Sequence, residues 1–143
     1  MITELYVPRD RLSVFMDDVR RDFVRNPADF IYGTIRLIEP DTESALPWAR
    51  ESYACVIFNL HVDHHAAALV DATSAFVRLI DHAIAHRGIY YLTYHRFARL
   101  GQLLTCHPRI REWLTNKHRI DPGRLFQSDW YRHLLSLTGN EAS

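Results

Sequence analysis

The residues that could do chemistry fall into three groups. Three imidazoles crowd His61-Val62-Asp63-His64-His65, a density that brings metal ligation to mind. His61 ends one apolar run, however, and His64 and His65 open a helical pattern, so the rings need not converge. No second ligand pair such as Cys-x-x-Cys supports a site, and no metal is expected. Cys106-His107 sets a thiol beside an imidazole. Adjacent residues seldom form a productive nucleophile–base pair, and Cys106 falls near a helix end, not at an activating helix start. The third group lies on strand-like segments: Tyr32 and Arg36 in one, Asn59 and His61 in another. An arginine on an aromatic-rich sheet face can hold an anionic or polyhydroxylated ligand, or stabilise developing negative charge. No glycine-rich phosphate loop, Gly-x-Ser-x-Gly elbow or kinase element is present.

The elements that must position these groups are legible from periodicity. Ile2 to Val7 alternates and stops at Pro8, a strand. Leu12, Phe15, Met16, Val19 and Phe23 have the spacing of one helical face, and Asn26-Pro27 ends that helix. Phe30 to Ile38 and Tyr53 to Val62 are β-branched and aromatic strands. Asp63 is the expected cap of a long helix with inner face Ala66, Leu69, Val70, Thr73, Phe76, Val77, Ile80, Ala83 and Ile84. Gly88 is expected to stop it. Ile89 to Thr93 reads as a fourth strand; helices follow over 97–105, 108–116 and 129–137. Strand, helix, strand, strand, helix, strand and a helical tail predict an α+β, ferredoxin-like βαββαβ fold, with an antiparallel sheet carrying two helices on one face.

Alternation sorts the sheet into two faces. Leu5, Val7, Ile31, Gly33, Ile35, Leu37, Ala54, Val56, Phe58, Leu60 and Val62 form an apolar face, expected under the helices. Glu4, Tyr6, Phe30, Tyr32, Thr34, Arg36, Ile38, Cys55, Ile57, Asn59 and His61 form the other. That mixture suits a pocket wall or an interface better than a fully solvated surface. Trp48, Trp113 and Trp130 read as packing anchors.

Composition bounds the rest. The 143 residues carry 17 basic and 17 acidic side chains, so nothing favours a nucleic acid or an anionic membrane as partner. No apolar run reaches the ~20 residues of a membrane span. Two cysteines are too few for a disulfide framework, which makes a cytoplasmic location the expectation. One domain over 1–143 is expected from this length.

Several motifs together resemble a known family. Glu4-Leu5-Tyr6-Val7-Pro8-Arg9 resembles the strand-to-helix start of the substrate domain in FAD-linked oxidases of the vanillyl-alcohol oxidase and p-cresol methylhydroxylase superfamily. The tail Asp121-Pro-x-x-x-Phe126-x-Ser128-Asp129-x-x-Arg132-x-Leu134 is similar to the C-terminal end of the decaprenylphosphoryl-ribose oxidase group, within the branch that also holds aldonolactone and alditol oxidases. His107-Pro108-Arg109 to Trp113 resembles the helix before that end, and Leu46-Pro47-Trp48 with Cys55 to Phe58 the approach to the third strand. The resemblance spans nearly the whole chain.

It implies a substrate-binding cap domain that covers a flavin with its open sheet face, while a separate module grips FAD. A substrate alcohol or sugar would give hydride to the flavin. Arg36, Asn59 and His61 would carry over as polar substrate contacts, with Tyr32 beside them on the same face. Thr93-Tyr94-His95 matches the stretch that usually delivers a substrate-binding lysine, so either Tyr94, His95 or Arg96 takes that role or the role is absent. Thr34 stands where alditol oxidases have a glutamate. With no FAD-binding module in this chain, the expected partner is a flavin-binding subunit, or a second copy that covers the exposed face. The alternatives are a ferredoxin-like dimer that encloses a small ligand and a remnant without activity.

Overall fold

A computed structural model of the chain describes residues 1–139. Four strands, β1 (Ile2–Pro8), β2 (Phe30–Ile38), β3 (Tyr53–Leu60) and β4 (Ile89–Tyr90), form one antiparallel sheet in the order β2-β3-β1-β4. The expected α+β, ferredoxin-like class is the one that forms. Five helices accompany the sheet: α1 (Leu12–Arg25), α2 (Ala66–Ala85), α3 (Leu100–Cys106), α4 (Ile110–Ile120) and α5 (Asp129–Thr138). The last three extend the domain beyond its βαββαβ frame. They bury Leu103, Cys106, Ile110, Leu114, Tyr131 and Leu134 in the same core as β1 and β3.

Register bears out the two-face sorting in mid-strand. Leu5 lies opposite Val56 and Val7 opposite Ala54, while Glu4 lies opposite Ile57 and Tyr6 opposite Cys55. Across the other edge of β3, Thr34 faces Ile57 and Arg36 faces Cys55. Near the start of β2 the sorting fails for a local reason. A register shift between Phe30 and Tyr32 turns Phe30 to the helix side, where its ring meets Phe58 and lies against the bare face of Gly33. The helices also cover less of the apolar face than expected. On β2, Ile35 and Leu37 remain 53% and 68% exposed.

The long helix α2 is rotated from its expected face. Its buried stripe is Ala72, Ala75, Phe76, Leu79, Ile80 and Ala83, whereas Leu69 and Val70 are exposed. Three alanines in that stripe let the helix sit close to β1 and β4, a gain that outweighs burying two larger residues in its first turn. The cap differs too: His65, not Asp63, accepts the Ala68 amide on its ring nitrogen at 3.2 Å. Side chains then tie α1 to α2. Arg78 Nε donates to both oxygens of Asp22, at 3.1 and 3.0 Å, and His86 Nε2 lies 2.6 Å from Asp18.

The turn out of α2 needs glycine for space rather than for backbone angle. Arg87 takes the left-handed conformation, at φ 61°. A Cβ on Gly88 would lie 2.4 Å from the Tyr6 carbonyl oxygen and 2.8 Å from that of Ala83. Substituting Gly88→Ala should therefore cost about 1–3 kcal/mol, because two backbone carbonyls must move. Arg87→Gly relieves a conformation that costs a side chain roughly 1–2 kcal/mol, partly offset by glycine's extra unfolded-state freedom. It should gain up to about 1 kcal/mol. Urea-unfolding midpoints of the two variants, moving in opposite directions, check the assignment.

Candidate functional site

The open face of the sheet is walled into a cavity of about 470 Å³. Its floor is Glu4 and Tyr6 of β1 and Arg36 of β2. One wall comes from the β2–β3 loop through Leu46, Pro47 and Trp48; another comes from Tyr91 to Tyr94, behind β4. Trp130 of α5 closes a third side, its indole N–H donating to the Leu92 carbonyl at 3.0 Å and its ring meeting Trp113 edge-on. The helical tail thus holds the segment after β4 in place. Aromatic contacts continue around the floor: Tyr6 meets Trp48 at 5.8 Å and Tyr91 at 6.3 Å, both edge-on.

Glu4 is the hub of this floor. Its carboxylate is buried, and acceptor-only oxygens in that position need donors. Tyr6 donates to Oε2 at 2.8 Å, Tyr94 to Oε1 at 3.0 Å, and the Cys55 thiol lies 3.7 Å from Oε2. These contacts and burial push every donor toward its protonated form. Burial first, then Glu4, raises the Tyr6 hydroxyl, and the same two causes raise Tyr94. Burial and the Glu4 charge lift the Cys55 thiol to about 12, so Cys55 is a hydrogen-bond donor and no thiolate nucleophile.

Arg36 supplies the site's cation. Among the described residues no carboxylate lies within ion-pair distance of it and no acceptor takes its guanidinium protons. Its field pulls against the rises at Tyr94 and Cys55, which places it electrostatically in the same site.

The six residues singled out from sequence are distributed over the molecule. Arg36 and Tyr94 meet in the cavity. Tyr32 and Asn59 pair across β2 and β3 on the same sheet face, outside the lining. His61 sits beyond the end of β3, its Nδ1 2.8 Å from Asp29, in a separate and smaller depression. His95 turns away and stacks with Phe76 at 5.2 Å and Phe97 at 5.1 Å, and burial lowers its pKa. Among the described residues, no three His, Cys, Asp or Glu side chains are grouped to hold a metal ion. No helix among them is long and apolar enough to cross a membrane.

Sequence reasoning passed over Glu4 and Tyr6 as site residues, and it took Trp48 and Trp130 for packing anchors. A signal for Glu4 did exist: it is a lone carboxylate inside an otherwise apolar strand, where it must be satisfied internally. The tryptophans carried none, because only the tertiary fold brings residues 48 and 130 to one rim. No protein-family model and no curated protein matches this chain. The reading of its function starts from this cavity.

His107, at the back of the cavity, gives a measurable pH dependence. Burial lowers its pKa to about 4, and its Nε2 lies 3.0 Å from the Tyr90 carbonyl oxygen. The unfolded chain binds this proton near the ordinary value of 6.5 and the folded chain only near 4. Stability from this group is therefore complete above about pH 6.5 and lost as pH falls to about 4, on the order of 3 kcal/mol in all. Denaturant titrations across that window should show the slope, and His107→Gln should flatten it.

Proposed function

We propose that this domain is the substrate-binding cap of an FAD-linked oxidoreductase that oxidises an alcohol or sugar carbon, with the flavin gripped by another polypeptide. The observation that carries the reading is the convergence of a guanidinium with no ion-pair partner among the described residues and a buried carboxylate–phenol network in one aromatic-walled cavity of small-molecule size. The motif resemblance in the first strand and the tail agrees with it.

The residues fit one part of the cofactor and not the rest. Trp48, Tyr91 and Trp130 offer flat apolar surface suited to the edge of a flavin ring. No glycine-rich turn opening a helix borders the cavity among the described residues, so the usual cradle for a diphosphate is lacking here. When bound, FAD supplies the hydride acceptor. Arg36 would hold an anionic or polyhydroxylated substrate through forked hydrogen bonds. Tyr94 donates its own proton to Glu4, which leaves its oxygen free to accept from a substrate hydroxyl. As the substrate carbon is oxidised, the hydroxyl proton would pass to the Tyr94 oxygen while the phenol proton passes to Glu4 Oε1. The burial that raises Tyr94 keeps the phenol protonated until then.

Affinity capture of the tagged chain from its native host tests the reading. The expected eluate is yellow, contains a second polypeptide and oxidises a sugar or alditol. In that complex Arg36→Ala should lower kcat/KM by roughly 10²-fold, and Tyr94→Phe should lower kcat with less effect on KM. A colourless, solitary chain would overturn the proposal.

A further inference from the structure

β2 stands at one edge of the sheet, and among the described residues no further strand pairs with it. β2 is nine residues long, pairs only with β3, and is exposed along nearly its whole length, including Ile31, Tyr32, Ile35 and Leu37. Edge strands are normally protected against pairing by lysine, proline, acidic side chains or brevity. Phe-Ile-Tyr-Gly-Thr-Ile-Arg-Leu-Ile has no lysine, proline or acidic side chain; the protective devices it does carry are one arginine, Arg36, and the shift at Phe30/Tyr32, which lies near its start and leaves 32–38 in regular register.

The strand is complementary to itself. Antiparallel pairing centred on Thr34 uses the seven residues Ile31 to Leu37; Phe30, turned to the helix side by the shift, does not match Ile38. The pairing sets Ile31 against Leu37, Gly33 against Ile35, and Tyr32 against Arg36, each residue meeting one from the same sheet face. Registers that keep the faces but slide the strand by one pairing step are worse. One places Leu37 opposite Asp29, and the other places Ile31 opposite Glu39. In the Thr34-centred register Asp29 and Glu39 fall near each other at the two ends. Each already has a partner of its own, His61 at 2.8 Å and Arg9 at 2.5 Å. The single charge within the strand, Arg36, then meets an aromatic ring, which attracts a cation.

We infer that two copies of this chain associate β2 to β2 about a two-fold axis at Thr34, forming one continuous eight-stranded sheet. The pairing brings Tyr32 of the partner subunit beside Arg36 at the rim of the cavity. Each site then gains an aromatic wall residue that its own chain places elsewhere. The contact is a narrow strip, which suits a dimer in the micromolar range. This inference is independent of the flavin reading, because it is measured on the chain alone.

Sedimentation of the purified chain without flavin should show a monomer–dimer equilibrium. Ile35→Lys, on a half-exposed side chain that tolerates charge without unfolding, should shift it to monomer, while Val24→Lys on the far side of α1 should not. Register is read by disulfide formation under mild oxidation. Thr34→Cys lies on the axis and should cross-link to its own copy. Ile38→Cys, whose copies would stand about 27 Å apart along the ladder, should not. The native cysteines, Cys55 and Cys106, are buried and do not compete. A strictly monomeric chain overturns the inference. So does a dimer that survives Ile35→Lys, or one that cross-links through Ile38→Cys as readily as through Thr34→Cys, as a face-to-face dimer or an edge paired in another register would.

Discussion

A carboxylate placed inside an apolar strand must find donors or give up its charge, and Glu4 answers that requirement with three. The phenols of Tyr6 and Tyr94 and the thiol of Cys55 come from β1, the segment after β4, and β3. Satisfying one buried group therefore draws three parts of the chain to one point. The cavity is a consequence: Tyr6 brings Trp48 and Tyr91 around it through edge-on contacts, and Tyr94 fixes the mouth. Removing the carboxylate would leave two phenols without their acceptor and would disconnect the wall from the floor.

The same network decides what the site cannot do. Burial and the Glu4 charge hold Cys55 protonated, and Cys106 is also lifted to about 12 by burial. Thiolate chemistry is thus disfavoured at both cysteines near neutral pH. What the floor offers instead is a fixed cation and a phenol whose proton is already directed at a carboxylate. That arrangement suits binding a polar molecule and moving a proton away from it, not covalent attack.

Strand parity was the part of the site most legible in the sequence. Alternation placed Glu4, Tyr6, Thr34, Arg36 and Cys55 on one face, and the register agrees residue by residue. It was less reliable where something other than periodicity decides the outcome. The early bulge in β2 moved Phe30 across the sheet, and a stripe of alanines rotated α2. Gly88 stands at the turn for reasons of space while Arg87 adopts the strained angle, a division of labour invisible without neighbouring strands. His95 was the subtlest case. It directly follows the cavity-lining Tyr94, yet its ring leaves the lining and stacks against Phe76 and Phe97, which also stack on each other.

The two exposed apolar regions of the sheet differ in kind. Around the cavity, aromatic surface is interrupted by a cation and a carboxylate, so its natural complement is a small polar molecule or a flat ring held at its edge. Along β2 the helix-side residues Ile31, Ile35 and Leu37 are apolar and exposed, while Thr34 and Arg36 make the open face polar; among the described residues the outer edge pairs with no further strand, so its natural complement is another strand. Arg36 belongs to both regions. It contributes charge to the cavity floor and sits in the edge strand, two residues from the centre of its self-complementary pattern. Anything that pairs with β2 therefore alters the environment of the cation on the cavity floor, and occupancy of the edge and of the cavity become linked through a single side chain.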